Sequence, residues 1–117
     1  MNSLKKTADF VSVYREGSSK ADRFLVVYIL GKESRENRFG VSVSKKVGNS
    51  VVRHRIKRRL KEIYRLHEGQ FAEGYDIVVI ARVNAASASY AVLEKSLLRL
   101  LSTRIPGSIR KKPVRCF

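Results

Sequence analysis

The sequence has one cysteine, Cys116, and no tryptophan among its 117 residues. A single cysteine excludes an internal disulfide and a zinc site built from several thiolates. This scarcity of cysteine is typical of a protein that stays in a reducing compartment. Proline is almost as rare, since the only two, Pro106 and Pro113, both fall near the C-terminus. Regular structure upstream of them is therefore free of proline breaks.

Long apolar runs are also missing. No stretch approaches the roughly 20 apolar residues that a membrane-spanning helix needs. The N-terminal sequence MNSLKKTADF has none of the apolar segment that a secretory signal requires. We therefore predict a soluble, cytoplasmic protein that has no membrane partner.

Acidic residues are scarce relative to basic ones. The chain has 10 Asp and Glu against 25 Lys and Arg, which gives a formal net charge of +15. A charge of this size on a small chain favours a polyanionic partner, with nucleic acid ahead of an anionic membrane. Because the cations are clustered rather than spread along the chain, they indicate a binding surface rather than general solubility.

The hydrophobic fraction of 44% is enough for one modest core, so residues 1–105 are predicted to form a single domain. Residues 106–117 are predicted to be a basic C-terminal tail.

Periodicity predicts an α+β fold, an α/β sandwich with a small mixed sheet. Strands 24–30 and 38–44 are predicted to form a hairpin, and strand 38–44, helix 50–66 and strand 75–81 a βαβ unit. The predicted elements are helix 6–17, strands 24–30 and 38–44, a helix that starts near residues 48–50 and ends at about 66, strand 75–81 and a helix from 87 or 89 to 103.

The helix that starts near Gly48 is the most basic part of the chain. At about 100° per residue, an apolar stripe formed by Val52, Ile56, Leu60 and Ile63 is predicted to face the core. The cations lie opposite or on one flank, where like charges one turn apart repel unless an anion lies across them. The helix start adds backbone N–H groups and a positive dipole end that can hold phosphate. The residues predicted to bind nucleic acid are Lys45, Lys46, Asn49, Arg53, His54, Arg55, Lys57, Arg58, Lys61 and Arg65.

The string KKVGNSVVRHRIKRRLKE, residues 45–62, resembles the "RNR" signature of the protein subunit of bacterial ribonuclease P. Two positions depart from the family pattern, because His54 stands where the family usually has Asn and Lys61 where it usually has Arg. The resemblance extends to TADFVSVYREG in the first helix, to strand 21–30 and to IVVIAR near residue 80. The residues that match the signature are Lys46, Gly48, Asn49, Val51, Arg53, Arg55, Ile56, Lys57 and Arg58.

The resemblance implies the order α-β-β-β-α-β-α around a mixed four-stranded sheet, with a basic crossover helix and an additional short strand near residues 18–21. It also implies a non-catalytic subunit that binds the catalytic RNA and the 5′ leader of precursor tRNA. In such an enzyme the RNA carries out the Mg²⁺-dependent removal of the leader and holds most of the Mg²⁺. The leader is expected to contact Phe10, Tyr14 and Tyr28, since aromatic rings stack on single-stranded bases whatever their sequence.

Three alternatives are less well supported. The first is a free-standing RNA-binding protein with no role in cleavage, which charge and fold alone would permit. The second is a protein nuclease, but His54 and His67 lie about 20 Å apart along one helix, and the acids are scattered. The third, a helix-turn-helix DNA reader, is disfavoured because strands flank the basic helix on both sides. The polypeptide is therefore predicted to have no catalytic or metal-binding residue of its own.

Overall fold

The computed structural model describes residues 2–4, 6–31, 36–71 and 74–104, so the predicted tail, 106–117, lies outside the described residues. The strands are β1 (Asn2–Ser3), β2 (Ser18–Ala21), β3 (Leu25–Gly31), β4 (Arg38–Val43) and β5 (Tyr75–Ala81). The helices are α1 (Thr7–Glu16), α2 (Ser50–His67) and α3 (Tyr90–Arg104), and two 3-10 helices span Glu68–Gln70 and Val83–Ser87. Of the helices in these ranges, none is both long and apolar enough to cross a membrane.

The strands form one sheet in the order β1-β4-β5-β3-β2. Strand β5 runs parallel to β4 and antiparallel to β3, while β2 is antiparallel to β3. The predicted α+β fold with a mixed four-stranded sheet is therefore confirmed, and so is the short strand predicted near residues 18–21. Strand β1 adds a two-residue parallel pairing at the outer edge of β4. The pattern analysis missed it because two residues show no periodicity.

The predicted hairpin between strands 24–30 and 38–44 is wrong, because β5 lies between β3 and β4. The reason is in the sequence of β5, YDIVVIA, where Asp76 to Val79 and Ala81 are all buried. A strand that is apolar on both faces is best placed at the centre of the sheet, with a neighbour on either side. The predicted βαβ unit is confirmed, since α2 connects the parallel neighbours β4 and β5.

The two faces of the sheet are covered unequally. Helices α2 and α3 contribute to a large core on one face, together with inward-facing residues of β3, β4 and β5. The other face carries α1 and a small cluster in which Leu4, Val13 and Val78 are buried. Around this small cluster, four apolar side chains stay only partly buried, so this face keeps accessible apolar surface. They are Phe10, Tyr28, Leu30 and Ile80.

Helix α2 is anchored by the predicted stripe and by one further residue. Ile56, Leu60 and Ile63 are buried, and Val52 packs at the edge of the core. Tyr64, which periodicity did not single out, is also fully buried. Its ring stacks 4.3 Å from Phe39 and 6.0 Å from Phe71, measured between ring centroids. The buried side of α2 is therefore wider than the predicted stripe.

An ion-pair network fixes α1 to the sheet. Arg38 of β4 donates to both carboxylate oxygens of Asp76, at 3.0 and 2.8 Å, and to Asp9 of α1 at 3.2 Å. Asp76 is only 3% exposed, so its charge is compensated where water cannot reach it. The hydrogen bond to Asp76 and the two carboxylate charges raise the pKa of Arg38 above its ordinary value, although burial opposes this. The guanidinium therefore stays protonated and connects α1, β4 and β5 through its hydrogen bonds to Asp9 and Asp76.

The buried Tyr64 makes stability sensitive to alkaline pH. Burial raises the pKa of Tyr64 to about 12, whereas an unfolded tyrosine ionises near pH 10. The contribution of the neutral Tyr64 side chain to the free energy of unfolding is thus fully present below about pH 10. It decreases as the pH rises towards about 12, by up to roughly 2–3 kcal/mol. We expect Tyr64→Phe to remove this decrease, as measured by the free energy of urea unfolding near pH 8 and pH 11. Tyr14→Phe, at an exposed position, should keep it, and an equal decrease in Tyr64→Phe would contradict the assignment.

Candidate nucleic-acid interface

The outer face of α2 carries several exposed basic side chains. His54, Arg58, Lys61 and Arg65 are exposed there, and Arg55 and Arg59 are half-buried along the same helix. Lys45 and Lys46 are exposed in the turn that precedes α2. Glu62 is the one acidic residue in the helix sequence, against seven Lys and Arg. The structure therefore brings most of the predicted binding residues onto one positively charged surface.

Two predicted residues, Arg53 and Lys57, do not lie on this outer face. Both are half-buried, because burial of Tyr64 widens the core side of the helix towards them. The Nε of Arg53 donates to the carbonyl oxygen of Gly48 at 3.2 Å, which ties the first turn of α2 to the preceding loop. Lys57 instead reaches a groove beside α1, described below.

Asn49 has a structural role at the start of α2. Its side-chain oxygen accepts the backbone N–H of Val52 at 3.0 Å, so Asn49 is the N-cap of the helix. This satisfies one of the amide groups that a helix start leaves free. An Asn directly before the first helical residue is a known capping signal that the sequence analysis did not use. The proposed contact of Asn49 with nucleic acid remains a prediction.

The three predicted aromatic residues lie together on the thinly covered face of the sheet. The ring centroids of Phe10 and Tyr14 are 6.5 Å apart, and those of Tyr14 and Tyr28 are 5.1 Å apart in an edge-to-face arrangement. Phe10 and Tyr28 are half-buried, whereas Tyr14 is 37% exposed. The rings form one continuous aromatic surface that combines core packing with solvent access.

A groove of about 340 Å³ links this aromatic surface to the basic helix. It crosses the outer edge of β4, which β1 covers at Arg38 and Phe39 in the described part of the chain. One wall comes from α1 and the far end from α2, so residues distant in sequence meet there. The lining residues are Thr7, Phe10, Tyr14, Val41, Ser42, Val43 and Lys57. The β4 residues were not predicted from the sequence, because their position near the sheet edge depends on strand order.

Gly40 determines how closely Phe10 approaches the sheet. A Cβ atom at Gly40 would lie 2.7 Å from Cζ of Phe10 and 3.1 Å from Cβ of Leu4. The contact with Phe10 is shorter than real Cβ atoms make, so a larger residue at position 40 would require the ring of Phe10 to shift. The signal was visible in the sequence as an isolated Gly inside a strand, which often marks a close approach.

A second concave surface of about 470 Å³ lies on the outer side of α2. Val51, which is 71% exposed, provides an apolar patch within it, and His54, Arg55 and Arg58 supply polar and charged groups. An exposed apolar side chain surrounded by cations suits a partner that has both flat apolar and anionic parts, as a nucleotide does. The sequence analysis did not assign a role to the side chain of Val51.

The titratable groups are arranged for binding and structure. His54 and His67 lie on one uninterrupted helix, and Nε2 of His67 is 3.0 Å from a carboxylate oxygen of Glu94 on α3. Asp9 and Asp76 are engaged by Arg38. Within the described ranges, no group of three or more His, Cys, Asp or Glu side chains is placed to hold a metal ion. The chemistry that this surface supports is phosphate binding and base stacking.

Comparison with known proteins identifies relatives along almost the whole described chain. The family model described as Ribonuclease P matches residues 1–104. The ribonuclease P protein component of Alkaliphilus metalliredigens is 50% identical over 100 residues, which cover 86% of this chain and 90% of that protein. The RNase P protein structure from Staphylococcus aureus has a TM-score of 0.82 at 38% identity, covering 88% of this chain and 94% of that one. The structure from Thermotoga maritima has a TM-score of 0.81 at 29% identity, covering 88% and 97%.

We expect Gly40→Ala to destabilise the protein by about 1–3 kcal/mol, because the added methyl group collides with the ring of Phe10. In a Phe10→Ala background, most of this penalty should disappear. The free energies of urea unfolding of the two single variants and the double variant measure this coupling. Gly69→Ala is the matched control, since nothing lies within 4 Å of a Cβ atom there. Equal penalties with and without Phe10 would contradict the proposed contact.

Proposed function

The chain belongs to the bacterial ribonuclease P protein family, and we propose that it acts as the protein subunit of the ribonucleoprotein. In this proposal it binds the catalytic RNA and the 5′ leader of precursor tRNA and thereby promotes Mg²⁺-dependent removal of the leader. The polypeptide binds and positions, while the RNA subunit carries out the hydrolysis and holds most of the Mg²⁺.

The observation that carries the proposal is the groove across the edge of β4. It places the aromatic residues Phe10 and Tyr14 and the cationic residue Lys57 around one space of about 340 Å³. A single strand of RNA offers bases that stack on aromatic rings and phosphates that pair with a cation. This combination binds single strands with little dependence on sequence, as a leader that differs between precursor tRNAs requires.

The outer face of α2 suits a folded RNA better than a single strand. It presents several cations along a rigid helix, and Arg58 and Arg65 offer forked N–H groups that match phosphate geometry. Its cations reduce the repulsion between two polyanions, the catalytic RNA and the precursor tRNA. Less Mg²⁺ should then be needed to bring the two RNAs together. The groove ends at Lys57 of α2, the same helix that carries the outer face, so one subunit contacts both RNAs.

Reconstitution tests this proposal directly. The protein is mixed with a bacterial ribonuclease P RNA and a leader-bearing precursor tRNA at low millimolar Mg²⁺, and compared with each component alone. We expect cleavage at the mature 5′ end only when protein and RNA are both present. Cleavage by the protein alone would overturn the assignment of chemistry to the RNA. If the protein bound RNA but did not stimulate cleavage, the alternative of a free-standing RNA-binding protein would be correct.

The groove predicts a leader-specific loss of affinity. Tyr14→Ala removes an exposed ring at the groove, so binding of precursor tRNA to the holoenzyme should weaken by about 1–3 kcal/mol. Binding of mature tRNA, which has no leader, should not change. Val11→Ala is the matched control, because Val11 is 42% exposed on the same helix and does not line the groove. Equal losses for precursor and mature tRNA would place the leader elsewhere.

A further inference from the structure

Two arginines outside the basic helix hydrogen-bond to Asp22, in the loop between β2 and β3, and a third is its neighbour in the chain. A carboxylate oxygen of Asp22 accepts a hydrogen bond from Arg99 of α3 at 2.8 Å, and another from the Ser96 hydroxyl. Its backbone carbonyl accepts from Arg82, at the end of β5, at 3.0 Å. Arg23 follows directly in the sequence. We name these three residues, Arg23, Arg82 and Arg99, the arginine corner.

The charge of the arginine corner is only partly compensated. Although burial alone would raise the pKa of Asp22, hydrogen bonds from Ser96, from the amides of Leu25 and Phe24 and from Arg99 lower it. Asp22 is therefore ionised at neutral pH and contributes one negative charge against three guanidinium groups. This leaves an excess of positive charge on residues that lie outside the basic helix.

The geometry of the arginine corner is suited to an external anion. Arg82 donates one hydrogen bond to the backbone carbonyl of Asp22, and Arg99 donates one to its carboxylate, whereas a guanidinium has five N–H donors. Most donors thus remain available while the head groups are already oriented, which lowers the entropy cost of binding. Arg23 and Arg82 are exposed, and the side chain of Arg99 is 59% exposed. Forked donors in a fixed position match phosphate oxygens well.

The strand register places the arginine corner next to the start of the basic helix. Ala81 of β5 is paired with Val43 of β4 on one side and with Leu25 of β3 on the other. The chain therefore leaves β4 towards Lys45, leaves β5 towards Arg82 and enters β3 from Arg23 at the same end of the sheet. Adjacent strands are about 4.8 Å apart, so these cations follow one another across the sheet end. A single RNA backbone can contact both groups.

We propose that the arginine corner is a second binding site for RNA backbone phosphates, which extends the basic surface from Lys45 and Lys46 across the end of the sheet. The inference rests on the proposed function, because it takes the partner to be an RNA of the ribonucleoprotein. The phosphates come from the catalytic RNA or from the precursor tRNA, which share this chemistry. Sequence analysis overlooked the site because its three arginines are far apart in the chain.

The test uses Arg23→Gln and Arg82→Gln, separately and together. Arg23→Gln removes a charge from an exposed side chain, so it tests the site with little risk to folding. Arg15→Gln is the charge-matched control, since Arg15 is exposed on α1, which leads into Ser18 near the other end of β3. Affinities are measured over a range of salt concentrations, first for the catalytic RNA and the protein, then for precursor tRNA and the assembled holoenzyme.

We expect each substitution to weaken binding of one of the two RNAs by about five- to eightfold near 0.1 M salt, relative to Arg15→Gln. The slope of log affinity against log salt should become shallower by about 0.7–0.9 per substitution. The RNA that responds identifies the source of the phosphates. If both RNAs bound the variants as tightly as Arg15→Gln, while wild-type protein stimulated cleavage, the arginine corner would be refuted and the proposed function kept. A wild-type protein without stimulation would refute the proposed function instead.

Discussion

The parallel pairing of β4 with β5 requires a crossover connection, and in this protein the crossover is α2. The most cationic segment of the chain is therefore held against the sheet by Ile56, Leu60, Ile63 and Tyr64 rather than left free in solvent. Burial of these side chains stabilises a helix whose like charges repel one another. The outward display of cations and the position of the groove both depend on this packing.

In the described part of the chain, the edge strand β1 pairs with β4 at Arg38 and Phe39, and two helices approach the rest of this edge from opposite faces of the sheet. Helix α1 brings aromatic rings from one face, and α2 brings Lys57 from the other. Gly40 lets the ring of Phe10 lie on the sheet, and Arg38 ties α1 to the sheet through Asp9 and Asp76. The candidate leader site is thus a composite of three elements.

The few acidic side chains help to explain why so basic a chain folds. Asp9 and Asp76 are paired with Arg38, and Asp22 with Arg99, so these carboxylates neutralise cations at points where elements meet. These ion pairs link neighbouring elements of the fold, whereas most of the other Lys and Arg side chains lie on the surface. The excess positive charge is consequently displayed to solvent, where a polyanion can reach it.

Local pattern was enough to predict the three α-helices and the strands β3, β4 and β5, since periodicity reports which side of a helix or strand is apolar. The bounds of β5 agree with the structure, as does the burial of Ile56, Leu60 and Ile63 in α2. The basic helix and most of the resemblance to the family followed from residues 45–62. Strand order did not follow from local pattern, because it depends on how the strands differ from one another. Strand β5 is apolar on both faces and therefore takes the central position in the sheet. The features that depend on strand order were decided by tertiary structure: the position of β4 beside the edge strand β1, the groove that Lys57 shares with Phe10, and the arginine corner around Asp22. Such sites join residues whose proximity is set by long-range pairing, which no local pattern records.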